Sequence, residues 1–320
     1  MNLYKEKLLG PALIGTAALV WATDALVRFP AGEKVDAAVL VYLEHILVLL
    51  VCLPFILKKF GKKLFSLSKA EFFCAALSGT GGSALATTFF TASMSYVNPS
   101  VAVLLQKLQP IMVVVIAYIF LGERPMKKFY LFCLVALAAG VLLSFPDLDF
   151  DFLSDVKLRS IGVRYALLAA FFWASSTVSG KILVRKTPPL LATFWRFVFG
   201  FFALTLILFF APSFLQKTGT VRPDLLDTLP VLFHGWMPFF ILYLSLVPGL
   251  AAFLLYYAGL ARTSAGASAF IELIYPIGAV ILNTAFLNTP LNLVQVIAAL
   301  VLMVAVTAIS LSPTPSESSS

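Results

Sequence analysis

Apolar residues run along this chain in long blocks separated by short polar clusters. Windows of about 20 apolar residues, the length that crosses a ~30 Å hydrocarbon core, fall near 8–29, 36–57, 72–96, 99–121, 128–146, 161–184, 189–211, 237–260, 264–286 and 290–311. The pattern predicts an all-α membrane protein with ten transmembrane helices. Most of the breaks are short, such as "KKFGKK", "GERPMKK" and "VRKTPP"; two are longer, 147–160 and 212–236, and neither is large enough to be a domain. The first window follows Lys5 and Lys7 but is too long for a cleaved leader and has no A-x-A site, so it reads as the first span. The tail 312–320, "SPTPSESSS" from Ser312, is too polar to pack and is expected to be disordered.

Composition agrees with a lipid solvent. Apolar side chains make up 61% of the chain and charged ones 12%, against about 25% charged in a soluble domain; mean hydropathy is +0.98. The net charge of +8 has a simpler source than nucleic acid. When Lys and Arg are assigned to the two sides of a ten-helix chain, fourteen fall on the side of both termini and seven on the other. Cytoplasmic loops carry the positive excess, so both termini are expected in the cytoplasm. The acidic loop with Asp147, Asp149, Asp151 and Asp155 suits the outside. Cys52, Cys74 and Cys133 lie inside predicted spans without C-x-x-C spacing and read as small packing residues.

An internal repeat organises the chain. Residues 84–123 lie without gaps on 250–289 at an offset of 166, which pairs Pro110 with Pro276 and Gln106 with Glu272. Upstream, "VWATD" (20–24) matches "FWASS" (172–176). The expected units are a first five-helix repeat over 1–150 and a second over 161–311. Five is odd, so the second repeat enters the membrane from the opposite side. Inverted repeats of this kind are a transporter architecture with the substrate site at midplane.

Ionisable groups at bilayer depth are costly and normally pair or line a polar cavity. Lys107 stands about three residues from the centre of the fourth span, roughly 5 Å of rise. Val103, Gln106, Lys107 and Pro110 share about 100° of a helical wheel. Pro110 lacks an N–H, which should free the Gln106 carbonyl, and Pro276 should do the same for Glu272. Glu44 and His45 lie mid-span in the second window, with Arg196 aligned to His45 in the seventh. Two ion pairs, Glu44 with Lys107 and Arg196 with Glu272, would neutralise four charges. Either these pairs only staple helices, or Lys107 and Glu272 face a central cavity, where a zwitterion such as an amino acid would suit both.

Trp21 and Trp173 hold equivalent positions and offer either packing or flat faces to a substrate. Tyr256 and Tyr257 are weaker candidates of the same kind. His45 beside Glu44 reads as a core histidine or a proton relay. Asp24 and Arg28, at i and i+4, are expected to form a local ion pair. His234 has no partner to name. "SGTGGSALA" (78–86) has the glycines of a dinucleotide loop but not its strand or acidic residue, so it reads as close helix packing. No metal-ligand spacing, phosphate loop or nucleophile–base grouping is present. The chain therefore offers no catalytic residue, no metal site and no cofactor site.

A W-A pair opening each half, and a fourth span ending P-x(11)-G-E at Pro110, Gly122 and Glu123, resemble the EamA-type branch of the drug/metabolite transporter superfamily. The second half departs from this ending, with Asn288 and Thr289 in place of Gly-Glu. The resemblance implies a multi-pass permease of the cytoplasmic membrane that moves small organic metabolites, often outward, through a cavity lined by spans 1, 3, 4, 6, 8 and 9. The expected substrate-binding residues are Trp21, Gln106, Lys107, Trp173, Tyr257 and Glu272, with Glu44, His45 and Arg196 in proton coupling or ion pairs. Expected partners are a small-molecule substrate and the lipid bilayer, and no nucleic acid; a homodimer is compatible with the pattern but not required by it. Two other classes fit parts of it: a membrane-embedded enzyme or lipid-modifying protein using Glu44, His45 and Lys107, and a non-transporting scaffold or receptor.

Overall fold

The computed structural model describes residues 3–32, 35, 37–94, 96–97, 99–149, 151, 161–210, 230, 232–287 and 292–312. The described residues are helical, with no strand. In the first half these are α1 (Leu3–Ala22), α2 (Asp24–Gly32), α3 (Ala37–Phe60), α4 (Lys69–Ala76), α5 (Ala86–Met94), α6 (Pro99–Gln106), α7 (Gln109–Leu121) and α8 (Lys127–Ser144). The second half has α9 (Ile161–Val184), α10 (Pro189–Thr205), α11 (Met237–Leu244), α12 (Ala252–Leu260), α13 (Ala265–Ile271), α14 (Ile274–Leu287) and α15 (Leu293–Leu311). Wide π turns, Leu77–Leu85, join α4 to α5, and Ser245–Ala251 join α11 to α12. Pro248 and Gly249 lie in the second of these.

Among the described residues nine helical stretches are long and apolar enough to cross a membrane. The stretch from Lys69 to Met94, where the third span is expected, is helical throughout. Its run of Gly, Ser and Thr makes it less apolar than the other nine. The tail 313–320, most of the 147–160 and 212–236 loops, and Asn288 and Thr289 lie outside the described residues.

Local chemistry sets the helix ends. Ser68 and Glu71 form a reciprocal capping box at α4, and Asn292 with Gln295 does so at α15, which fills N–H groups that have no intrahelical acceptor. The Ser68 bonds, more than anything else, hold the Glu71 carboxyl below the usual carboxylate range. Gly122 ends α7 at φ +67°, a left-handed conformation that suits glycine.

The fourth and ninth spans are each broken. α6 stops at Gln106 and α7 resumes at Gln109; α13 stops at Ile271 and α14 resumes at Ile274. The breaks fall at repeat-equivalent places, each just ahead of the matched proline. The N–H groups of Lys107 and Leu108 reach back three residues, to Leu104 and Leu105, as does Leu273 to Phe270. The expected pair of freed carbonyls is corrected in one half. The Glu272 carbonyl is taken up by the Tyr275 N–H at 2.9 Å, because the turn tightens around Pro276. Among the described residues no backbone donor reaches that of Gln106.

Packing joins the two halves around α1 and α9. α1 lies against α12 and α14, while α9 runs between α5, α6, α7 and the π turns 77–85. The largest buried cluster joins α1, α8, α9, α12, α13 and α15, with Phe129, Phe270, Tyr257 and Leu260 among its fully enclosed side chains. Cys52, Cys74 and Cys133 are buried free thiols, in line with packing roles.

Candidate functional site

The candidate site is built, among the described residues, around two polar clusters and the separate charges of Lys107 and Glu272. The first cluster joins α2 to α3. Arg28 donates through Nε to Asp24 at 2.7 Å, and through its terminal nitrogens to the two Glu44 oxygens at 2.8 and 3.1 Å. The local Asp24–Arg28 pair is thus present and extended to Glu44. It also corrects the expected Glu44–Lys107 pair, since a forked guanidinium matches a carboxylate bidentately and saturates it.

The second cluster centres on Arg196 in α10. One of its terminal nitrogens donates to Ser176 Oγ at 2.7 Å, to Ser78 Oγ at 2.8 Å and to the Tyr257 hydroxyl at 3.4 Å. Its guanidinium carbon stands 4.4 Å from the centre of the Phe253 ring. Three hydroxyls and an aromatic face thus solvate the buried cation. The glycines of "SGTGG" make this approach feasible. A Cβ on Gly82 would collide with Ser176 Oγ and come within 2.9 Å of Arg196, and one on Gly79 would collide with the Arg196 carbonyl. The stretch is a close-packing surface, as its composition predicts.

Arg196 and Glu272 form no ion pair within 4.0 Å. The expected pair is corrected: the serines and Tyr257 occupy the guanidinium first. Glu272 is partly accessible, lies beside the Tyr256 hydroxyl, and its buried Oε1 has no hydrogen-bond partner among the described residues. Tyr256 in turn donates to Thr177 Oγ1 at 3.3 Å. Lys107 is half-buried and has no ion-pair partner among the described residues. Gln106 and Gln109 flank it, also half-buried.

Trp21 is partly accessible; its indole N–H donates to the Pro248 carbonyl at 3.0 Å, and its ring packs on Phe253 and Tyr256 with centroids 5.2 and 5.3 Å apart. Trp173 packs on Phe90 at 5.3 Å. Tyr257 is fully enclosed, its hydroxyl 2.7 Å from Ser78 Oγ. In this conformation Tyr256, rather than Tyr257, meets Glu272. His45 is buried, with Nδ1 2.7 Å from the Val41 carbonyl and its ring 4.8 Å from Phe197. A Cβ on Gly200 would lie 2.5 Å from His45 Nε2, so that nitrogen is packed against backbone. His234 is exposed, with Nδ1 3.2 Å from the Pro230 carbonyl.

Sequence reasoning passed over Ser78, Ser176 and Thr177, although Ser176 lies within the "FWASS" repeat match. It also left Arg28 at a local role. Small hydroxyl residues carry no period that marks them as partners of a distant arginine.

Residues 8–145 and 160–311 both match the EamA-like transporter family. The Riboflavin transporter ImpX of Fusobacterium nucleatum subsp. nucleatum is 30% identical over 305 residues, covering 94% of this chain and 97% of its own length. A crystal structure, described only as that of a protein, superposes with a TM-score of 0.71 at 20% identity, over 94% of this chain and 96% of its own. At that identity it speaks for the fold alone. With both halves of the chain matched and a relative aligned almost end to end, this multi-pass membrane protein belongs to the EamA-like transporter family.

Proposed function

We propose that the chain is a ten-helix permease with both termini in the cytoplasm, which carries a small planar metabolite by alternating access around the two broken helices. Lys107 and Glu272 carry this reading. They stand at the two breaks, deep in their spans, each partly accessible and neither held in an ion pair among the described residues. A charge at that depth without a partner normally serves a pathway. Trp21 and Tyr256 add aromatic surface, and Gln106 adds an amide on the same face as Lys107. Trp173 belongs to the opposite wall in the repeat.

Riboflavin, named for the relative, is the first compound to test. Its flat ring system suits an indole face, its carbonyls would accept from Lys107, and its imide N–H and hydroxyls would donate to Glu272. A zwitterionic amino acid is the second reading, favoured by the opposite signs of those two residues. Uptake of both compounds into proteoliposomes separates the readings. Saturable riboflavin flux that amino acids do not compete supports the first, and the reverse result supports the second. No flux of either would overturn both. Outward movement, the sense implied by the superfamily resemblance, would give accumulation in inside-out vesicles.

A further inference from the structure

Glu123 is 3% exposed although it lies in the short break after α7. Its Oε1 accepts the Ala265 N–H at 2.8 Å, and its Oε2 accepts the Gly266 N–H at 3.0 Å. Ser264 Oγ takes the Ala267 N–H at 3.3 Å. The free donors at the head of α13 are thus filled, two of them by a carboxylate from the other repeat. Close packing accompanies this contact in the same turn: a Cβ on Gly10 would collide with the Thr263 hydroxyl.

The repeat cannot make this contact twice. The 166-residue offset places Thr289 where Glu123 stands and Pro99 where Ala265 stands. The second copy therefore lacks both the carboxylate and the first N–H. Burial follows the same division. Every residue of Ala265–Ile271 is buried, whereas in the equivalent part of α6 Val101 and Ala102 are buried and Val103, Leu104 and Leu105 are half-buried. A difference of this kind is what inverted copies in different states would show.

We propose that Glu123 is a positioning residue, a one-sided latch that holds the path shut at the α13 end and biases the resting protein toward opening at the α6 end. Passage then requires the carboxylate to release two N–H groups. Hydrogen bonds to an ionised acceptor are the strong kind, so releasing them sets the ease of opening. On the topology that the charge count predicts, the latched end is cytoplasmic. This inference rests on the alternating-access reading but not on any substrate.

The test is site-resolved thiol labelling in proteoliposomes without substrate, using a small membrane-permeant maleimide and mass spectrometry. Ala269→Cys reports the latched end, and Val103→Cys, at the equivalent position, reports the other. Glu123→Gln should raise labelling at the first reporter about tenfold, the shift that ~1.4 kcal/mol produces, and lower it at the second. Ala265→Pro removes one donor and leaves the carboxylate; proline is tolerated at the first position of a helix, so this variant serves if Glu123→Gln does not fold. Unchanged labelling at the first reporter would overturn the latch. So would a rise at both reporters with a lower Tm, which marks a cap that only supports the fold. Because no substrate is used, failure of the riboflavin assay would not mimic either outcome.

Discussion

Arg28 grips Glu44 with both terminal nitrogens, at 2.8 and 3.1 Å, while its Nε holds Asp24 at 2.7 Å. One cation therefore serves two carboxylates, and the Glu44 side chain is only 8% exposed. Arg28→Met leaves both acids unpaired and should cost about 3 kcal/mol, the lower end for breaking a buried pair. Glu44→Gln keeps the Asp24 pair and should cost about 1 kcal/mol. Thermal unfolding in detergent ranks the two; equal Tm losses would show that the Asp24 pair adds nothing beyond the fork to Glu44.

Gly81 and Gly82 are neighbours with unequal tolerance. A methyl on Gly82 collides with Ser176, whereas one on Gly81 meets the Phe172 ring at 3.3 Å, where a small shift suffices. Gly82→Ala should lower stability by about 1–3 kcal/mol through overpacking and disturb the Arg196 cluster, while Gly81→Ala should fold nearly as the parent does. Size-exclusion profiles and Tm values of the two variants check this.

Lys107→Met removes a charge that strands no ion-pair partner among the described residues. Since inserting a mid-span lysine costs about 2.5–3.5 kcal/mol, Tm should stay level or rise. Transport of the accepted substrate should fall at least about tenfold, equivalent to ~1.4 kcal/mol of lost stabilisation. A lower Tm with unchanged transport would make Lys107 a structural residue instead.

The adjacent tyrosines should also separate. Tyr256→Phe removes the hydroxyl beside Glu272, while Tyr257→Phe removes one bonded to Ser78 in the packed Arg196 cluster. Initial rates should fall more for Tyr256→Phe, and Tm more for Tyr257→Phe, by about 1 kcal/mol for one buried hydrogen bond. The opposite order would place Tyr257 at the site.

The helices were legible because lipid demands long apolar runs, and the inverted repeat was legible because the matched prolines Pro110 and Pro276 survive in both halves. The break in each of those spans follows from proline chemistry. Charge partners were not legible. Glu44 had three cations of suitable depth to choose from, and only the turn between α1 and α2 brings Arg28 to it. Arg196 found hydroxyls instead of an acid, because Gly79 and Gly82 let α10 approach closely enough for Ser78 and Ser176 to reach it. The faces of Tyr256 and Tyr257 were obscured for another reason: π turns upstream of them defeat a wheel drawn at 100° per residue.

Those π turns fall at matching places, Leu77–Leu85 in one half and Ser245–Ala251 in the other. A π turn takes up one residue more than an α turn, so deleting one residue there lets the stretch close into α turns with what lies beyond nearly in phase, whereas a deletion in the α-helical part rotates everything beyond it by about 100°. A deletion of that second kind, between Ala252 and Tyr256, would swing Tyr256 away from Glu272 and Tyr257 away from Ser78 without changing either side chain. The count of residues in that stretch is therefore part of the site's specification, as much as the identities of the residues it presents.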